Sequence, residues 1–276
     1  MYIRKPAVAG SFYPGDPDEL QKLISEFLDS AGPVLKDFDN YKIMGIISPH
    51  AGYVYSGPVA AYGFNYLINS RFDRFVVLAP SHRGRFNGAS IIPKGLFKTP
   101  LGDVKIDSEL GEKLEKRDHF GFIKEAHEME HSLEVQIPFL QMVKSEAEIV
   151  PIVMGTIDPD LCRIIGETIA EEIKSSGKEY GIIISTDLSH YHSYDVAVKK
   201  DKDFINALES FDENVVEAVI ATGKAEACGE GGVLAGISLA RELGAKKIKT
   251  IKYANSGDTA GPKDQVVGYL SALILG

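Results

Sequence analysis

Apolar positions along the chain fall into two alternating kinds of run. Short, nearly unbroken stretches rich in Ile and Val occupy 42–48 (KIMGIIS), 74–79 (RFVVLA), 148–154 (EIVPIVM), 180–185 (YGIIIS), 248–253 (IKTIKY) and 266–274 (VVGYLSALI). Runs of this length, bounded by Gly, Pro, Ser or Asp, read as strands covered on both faces. Between them lie longer segments with an apolar residue every three or four positions. In 16–30 an Asp cap and a first-turn Pro precede Leu20, Leu23, Ile24, Phe27 and Leu28, which share one helical face. The same pattern predicts helices over 57–68, 133–143, 158–175, 196–211, 213–222 and 233–243. Residues 88–107 (GASIIPKGLFKTPLGDVKID) read as a β-hairpin excursion. Alternation of this kind predicts an α/β/α sandwich around a mixed, mainly parallel sheet. No internal repeat, low-complexity tract or linker interrupts it, so 1–276 is expected to form one domain.

Composition narrows the class of function. Of 276 residues, 44% are hydrophobic and 25% charged, enough apolar surface for a sizeable core. The net charge of −9 comes with Lys and Arg thinly spread, and counterion release from nucleic acid needs a basic stripe. A nucleic-acid partner is therefore not expected. Two cysteines, Cys162 and Cys228, make no disulfide framework and fit a reducing compartment. The opening MYIRKPAVAGSFYPGDP lacks the apolar core of a signal peptide, and no run approaches the roughly 18–20 residues that cross a bilayer. A cytoplasmic protein with no membrane partner is the expectation.

Candidate chemistry sits where the strands end. His50 follows KIMGIIS, His82 follows RFVVLA, and Asp187 and His190 follow YGIIIS. Side chains just past the carboxyl ends of strands converge over a crevice, where α/β sheets collect ligands. One such histidine is ordinarily a loop or core residue; three at one edge point to a site, since neutral imidazole is the commonest metal ligand. Asp187 has a helix cap as its alternative role. Cys228, in EACGEGGVLAGISL, precedes a helical pattern, and backbone N–H groups at a helix start favour a thiolate. Its alternative is a small buried hydrophobe. Cys162 lies within the helical pattern DLCRIIGETIA and reads as core.

Residues 127–131 read HEMEH, formally the H-E-x-x-H zinc-protease signature. The context argues against it: Glu130 occupies an intervening position, Pro138 limits the helix, and no third ligand stands out. His131 is expected in a polar cluster near the site and His127 at its periphery, while His119 and His192 have no distinctive context.

Several phrases occur together: RKPAVAGSFYP at 4–14, SPHAGYVYSGPVAAYGF at 48–64, LAPSH at 78–82, EHSLEVQIPFLQ at 130–141, STDLSHY at 185–191, the ACGEGG cysteine and YANSGD at 253–258. With them the chain resembles the MEMO family over essentially its whole length. That family is similar in fold to the class III extradiol (LigB-type) non-haem iron dioxygenases. The resemblance implies a crevice in which His50 and His82 match two metal-binding histidines, Cys228 stands where the dioxygenases place a carboxylate ligand, and His190 matches an acid/base histidine beside Asp187. It implies one metal ion, iron or copper, with zinc also suited to a thiolate, and metal-dependent redox chemistry on an unknown small molecule or peptide. Two alternatives accompany it: a binding module that uses the crevice without turnover, and a subunit working with AMMECR1-like and radical-SAM partners. Eukaryotic relatives are associated with phosphotyrosine peptides, but the carboxylate in CGEGG would repel phosphate. A cysteine hydrolase pairing Cys228 with His190 is the remaining chemical alternative.

Overall fold

The computed structural model describes residues 2–34, 38 and 40–276. In chain order the elements are β1 (Tyr2–Arg4), α1 (Pro17–Ala31), β2 (Ile43–Ser48), α2 (Tyr53–Leu67), β3 (Arg74–Pro80), β4 (Ala89–Ile91), β5 (Gly95–Thr99), β6 (Gly102–Ile106) and α3 (Ser108–Leu114). There follow β7 (Phe120–Gly121), α4 (Lys124–Glu128), α5 (His131–Glu134), α6 (Gln136–Val143), β8 (Glu148–Met154), α7 (Pro159–Ser176), β9 (Gly181–Ser185) and β10 (His190–His192). The chain closes with α8 (Tyr194–Glu209), α9 (Glu213–Ala221), α10 (Glu230–Glu242), β11 (Lys247–Asn255), α11 (Ser256–Thr259) and β12 (Val266–Leu275).

The central sheet runs β1-β5-β6-β8-β3-β9-β2-β12-β10, with β11 along β12. Strands β6, β8, β3, β9 and β2 are parallel neighbours, while β12 pairs antiparallel with both β2 and β11. Side chains alternate between two cores. Val76 and Leu78 of β3 join a core built with α3, α7, α8, α9 and α10; Phe75, Val77 and Ala79 join another built with α1, α2, α5 and α6. Both faces of the sheet are therefore covered, the α/β/α sandwich that the unbroken Ile/Val runs predict.

Three elements differ from the sequence reading. The 88–107 excursion is two structures: β5 and β6 form the hairpin, whereas β4 pairs antiparallel with β8 and parallel with β7. Helix α2 starts at Tyr53, before Pro58, because a proline this early removes only the bond to the carbonyl of Val54 in the exposed first turn. The preceding Gly57 helps, since any Cβ there would stand 2.5 Å from the Phe27 ring of α1. The predicted helix over 133–143 is broken at Val135 into α5 and α6, and that break carries part of the site. Among the described residues no helix is long and apolar enough to cross a membrane.

Candidate metal centre

Strands β3, β9 and β2 lie side by side and parallel, with Ser48 level with Ser185 and Leu78 level with Ile184. Their carboxyl ends therefore deliver His82, the Asp187–His190 segment and His50 to one edge. The turn between α4 and α6 adds His131. Ligand atoms of His50, His82 and His131 all lie within 4.8 Å of one another, so these three residues could hold a metal ion. The His82 and His131 rings stack at 4.5 Å, and His50 stands edge-on to both, at 5.2 and 5.6 Å.

The hydrogen bonds fix which ring nitrogen faces the cluster. Ser185 Oγ donates its proton to the Ser132 carbonyl at 2.7 Å and accepts from Gln136 Nε2 at 2.8 Å. Having no second proton, it can only accept from His50 Nδ1, 2.9 Å away, which leaves Nε2 of His50 with its lone pair. His82 Nδ1 lies 2.8 Å from Glu130 Oε1, and the other carboxylate oxygen accepts the His82 backbone N–H at 2.6 Å. His190 Nδ1 lies 2.7 Å from the Leu188 carbonyl, which only accepts. All three rings thus carry a proton on Nδ1, which leaves Nε2 as the nitrogen not engaged by these partners. An oxygen behind the far nitrogen is the usual support of a metal-binding histidine.

Burial and repulsion from neighbouring rings disfavour the charged form of His50, His131 and His190. Burial first, then the nearby His82, His131 and His190, push His50 well below its ordinary range. Burial, then the charge of His82, lowers His131 to about 4. Burial also lowers His190, opposed by its bond to Leu188. Burial pushes Glu130 upward, but bonds from the His82 ring, the His82 N–H and the Ser132 N–H outweigh it and hold the carboxyl at about 2. Three imidazoles, one of them backed by the Glu130 carboxylate, make a donor set that fits a transition metal or zinc.

The sequence-predicted residues are placed as follows. His50 and His82 belong to the cluster. Cys228 lies against His50, its Sγ 3.1 Å from Nε2, and accepts the Asp187 N–H at 3.2 Å. The third member of the compact triad is accordingly His131, with the thiol beside His50. Burial and then the charge of Asp187 push the Cys228 thiol upward, so without a cation it stays protonated, contrary to the thiolate expected of a helix start. Its ring neighbour is His50, not His190, and a neutral thiol beside a neutral imidazole is not the charged pair of a cysteine hydrolase. Asp187 does not reach the His190 ring: its Oδ1 accepts the His50 N–H at 2.7 Å, and the Ala51 N–H also donates to the carboxylate. Burial raises Asp187 to about 7, in spite of these bonds.

The zinc-protease reading fails on geometry. His127 is buried with Nε2 3.0 Å from Ser90 Oγ, and burial, then Arg4, lower it to about 3. What sequence reasoning missed is the division of labour within EHSLEVQ. Glu130 holds His82, His131 enters the cluster, and Ser132 ties to the Pro80 carbonyl at 2.8 Å. Glu134 pairs with buried Arg4, and Gln136 spans Ser185 and the Pro49 carbonyl. The alternation of polar residues through an apolar segment was the available signal.

An α/β sandwich with a histidine cluster at the carboxyl edge of a parallel sheet defines the class of protein. Comparison with known proteins makes it specific: residues 4–273 match the model of the family described as Memo-like protein. A MEMO1 family protein of Ignicoccus hospitalis is 38% identical over 277 residues, covering 98% of this chain and 97% of the relative. One of Methanothermobacter thermautotrophicus is 38% identical over 272 residues, with 97% and 98% covered. One of Saccharolobus islandicus is 39% identical over 282 residues, with 98% of each chain covered. The chain belongs to the Memo-like family.

Proposed function

We propose that this protein is a metal-dependent redox enzyme of LigB-like architecture that binds one iron or copper ion in the strand-end crevice. The observation that carries the reading is the grouping of His50, His82 and His131 ligand atoms within 4.8 Å, with Nδ1 of His50 and of His82 engaged by Ser185 and Glu130. Cys228 is proposed as a further ligand. Metal–sulfur and metal–nitrogen bonds of about 2.3 and 2.0 Å together exceed the 3.1 Å between its Sγ and His50 Nε2, so one ion can reach both. A bound cation would also draw the proton from the thiol, reversing the effect of burial. Imidazole and thiolate together favour copper, iron or zinc over magnesium or calcium.

When bound, the ion supplies electron transfer and a positive charge that polarises a substrate oxygen. Everything else falls to the protein. His190, with its Nε2 lone pair fixed by the Leu188 carbonyl, is placed to take a proton and return it. Asp187 secures the backbone of His50 by accepting its N–H. The proposed substrate is a small molecule. Non-catalytic binding of a peptide in the same crevice, and work alongside AMMECR1-like and radical-SAM partners, are the alternatives. A single cytoplasmic domain accommodates each of them.

Metal content after tag-free anaerobic purification tests the proposal in wild type, His82→Ala and Cys228→Ser. Near-stoichiometric iron or copper in wild type, lost in His82→Ala and weakened in Cys228→Ser, is expected. Folded wild type that takes up neither Fe(II), Cu(I) nor Zn(II) would sink it.

A further inference from the structure

One carboxylate interrupts the apolar face of α8. The buried residues of that helix are Ala197, Asp201, Phe204, Ala207 and Leu208, and Asp201 is wholly out of solvent. A carboxyl group in such a place is costly unless its oxygens are hydrogen-bonded. Here Oδ1 accepts the Ser189 N–H at 3.0 Å, and Oδ2 accepts the hydroxyl of Tyr253 from β11 at 2.7 Å. The backbone of β12 lies hard against the same group, since any Cβ on Gly268 would stand 2.1 Å from Oδ2. Gly268 also grips the turn that Asp201 holds. It donates to the Ser189 carbonyl at 3.0 Å and accepts the Leu188 N–H at 2.8 Å. Three elements from the last third of the chain thus converge on Leu188 and Ser189, neither of which belongs to the histidine cluster.

A single peptide plane connects Asp201 to His190. The Leu188 carbonyl and the Ser189 N–H belong to one planar trans unit, so they point in opposite directions. Asp201 holds the N–H end, and His190 Nδ1 lies 2.7 Å from the carbonyl end. Fixing one end of the plane fixes the other. A carbonyl at Nδ1 keeps the ring proton there and leaves Nε2 for proton transfer. Accepting from the N–H also polarises the amide and strengthens its carbonyl as an acceptor. Burial lowers His190, and the Leu188 bond, then Glu226 and Asp201, oppose it, so the field of Asp201 acts in the same sense as its geometry.

We propose that Asp201 is a positioning residue for His190, holding the Leu188–Ser189 peptide plane so that the ring keeps its proton on Nδ1 and offers Nε2 for proton transfer. His82 is backed by the Glu130 carboxylate directly; His190 is backed by a carboxylate one peptide unit removed. The inference rests on the proposed function for what His190 does with Nε2, whereas the orientation of the plane stands apart from it. Tyr253 has a different part. It holds the carboxylate and not the turn, so its loss weakens the fold and leaves the plane in place.

Two-bond proton–nitrogen correlation spectra of metal-free protein carrying isotope-labelled histidine read the tautomer of each ring, with His190→Gln identifying the His190 signals. Wild type, Asp201→Ala, Asp201→Asn and Tyr253→Phe are compared, with urea melts on each. In wild type, His190 is expected as the Nδ1–H tautomer, and the Ser189 amide among the slowly exchanging protons. In Asp201→Ala the single signature should give way to mixed tautomers, while His50 and His82 keep theirs. Asp201→Ser, one bond too short to make the contact, takes its place should the alanine variant not fold. Asp201→Asn should restore the wild-type signature, because its amide oxygen can accept the Ser189 N–H. Tyr253→Phe should lose stability yet keep the tautomer, which separates positioning from destabilisation. An Nε2–H tautomer in wild type, an unaltered His190 in folded Asp201→Ala, or a failure of Asp201→Asn to restore the signature would overturn the proposal. Every spectrum is taken without metal, so a chain that takes up no ion would sink the redox reading and leave the placement of His190 standing.

Discussion

A serine hydroxyl has one proton to donate, and at Ser185 the Ser132 carbonyl receives it; that detail decides which nitrogen of His50 faces the cluster. The same logic at Glu130 gives a prediction. Glu130→Gln keeps the shape and a carbonyl oxygen but loses the negative charge behind His82, and such supporting groups are worth roughly 10–100-fold in metal affinity. Titration with Zn(II) against a chromophoric chelator should show that weakening with an unchanged circular dichroism spectrum. Asp187 gives a second prediction. Its folded value of about 7 stands above the ordinary 3.8, so between those values the folded chain keeps a proton the unfolded chain has released. The stability it contributes is complete below about pH 4 and is lost as pH rises through about 7, by at most about 4 kcal/mol. His50, His127 and His131 are held below 6.5 and work in the opposite sense, adding stability as pH rises toward that value. The difference between metal-free wild type and Asp187→Asn isolates the carboxylate, because the amide oxygen can still accept the His50 N–H. The variant should gain on wild type in urea melts between about pH 4.5 and 8; a constant difference would show that Asp187 ionises normally. At this scale the placement of His50 and His82 at one edge was legible because each follows a strand. Glu130 was not, since its role depends on a ring 48 positions away along the chain.

At the scale of elements, the turn bearing Glu130 and His131 is held from the other end of the chain. Arg4 of β1 is fully buried, pairs with Glu134, and donates to the carbonyls of His127 at 3.1 Å and Glu130 at 2.7 Å. Glu134 in turn accepts the N–H groups of Ala7 and Val8 and the Tyr13 hydroxyl, and Phe12 packs on His131 at 4.8 Å. The segment from β1 to Tyr13 is thus a clasp over α5. Breaking a buried ion pair from one side leaves the other charge without compensation, at a cost of about 3–5 kcal/mol. Arg4→Met should show that loss in chemical denaturation, and weaker metal binding with it, because His131 and Glu130 lose their anchor. A drop in stability with metal affinity intact would mean that the clasp supports the fold alone. The major strands and the helices α1, α7 and α9 were legible from periodicity and caps. The clasp and the break at Val135 were not, because their partners lie far apart in sequence: Arg4 and Glu134 are 130 positions apart, and Tyr53, whose hydroxyl donates to the Val135 carbonyl, is 82 away. Gly166 makes the same point between helices: a Cβ there would stand 2.2 Å from the Ala235 carbonyl, so α7 and α10 approach through it. Gly166→Ala should cost about 1–3 kcal/mol, with metal affinity unchanged.

For the molecule as a whole, the sheet brings together groups from five separate stretches of sequence, so metal binding and folding are linked. The unfolded chain holds the same histidines and Cys228 far apart and binds an ion weakly, whereas the folded edge offers them within one small volume. A ligand that prefers the folded state stabilises it by about 2.7 kcal/mol at a hundred times its Kd. Thermal melts with and without Zn(II) as probe ion should therefore differ by several degrees for wild type. The increment should vanish in His82→Ala. His127→Ala is the informative control: removing a buried ring bonded to Ser90 should lower both melts, yet the gap between them should persist, because His127 lies outside the cluster. An increment lost in His127→Ala but kept in His82→Ala would restore the HEMEH segment as the metal site and displace the strand-end edge. The two variants thus separate a site written in adjacent letters of the sequence from one that exists only when the parallel strands are aligned.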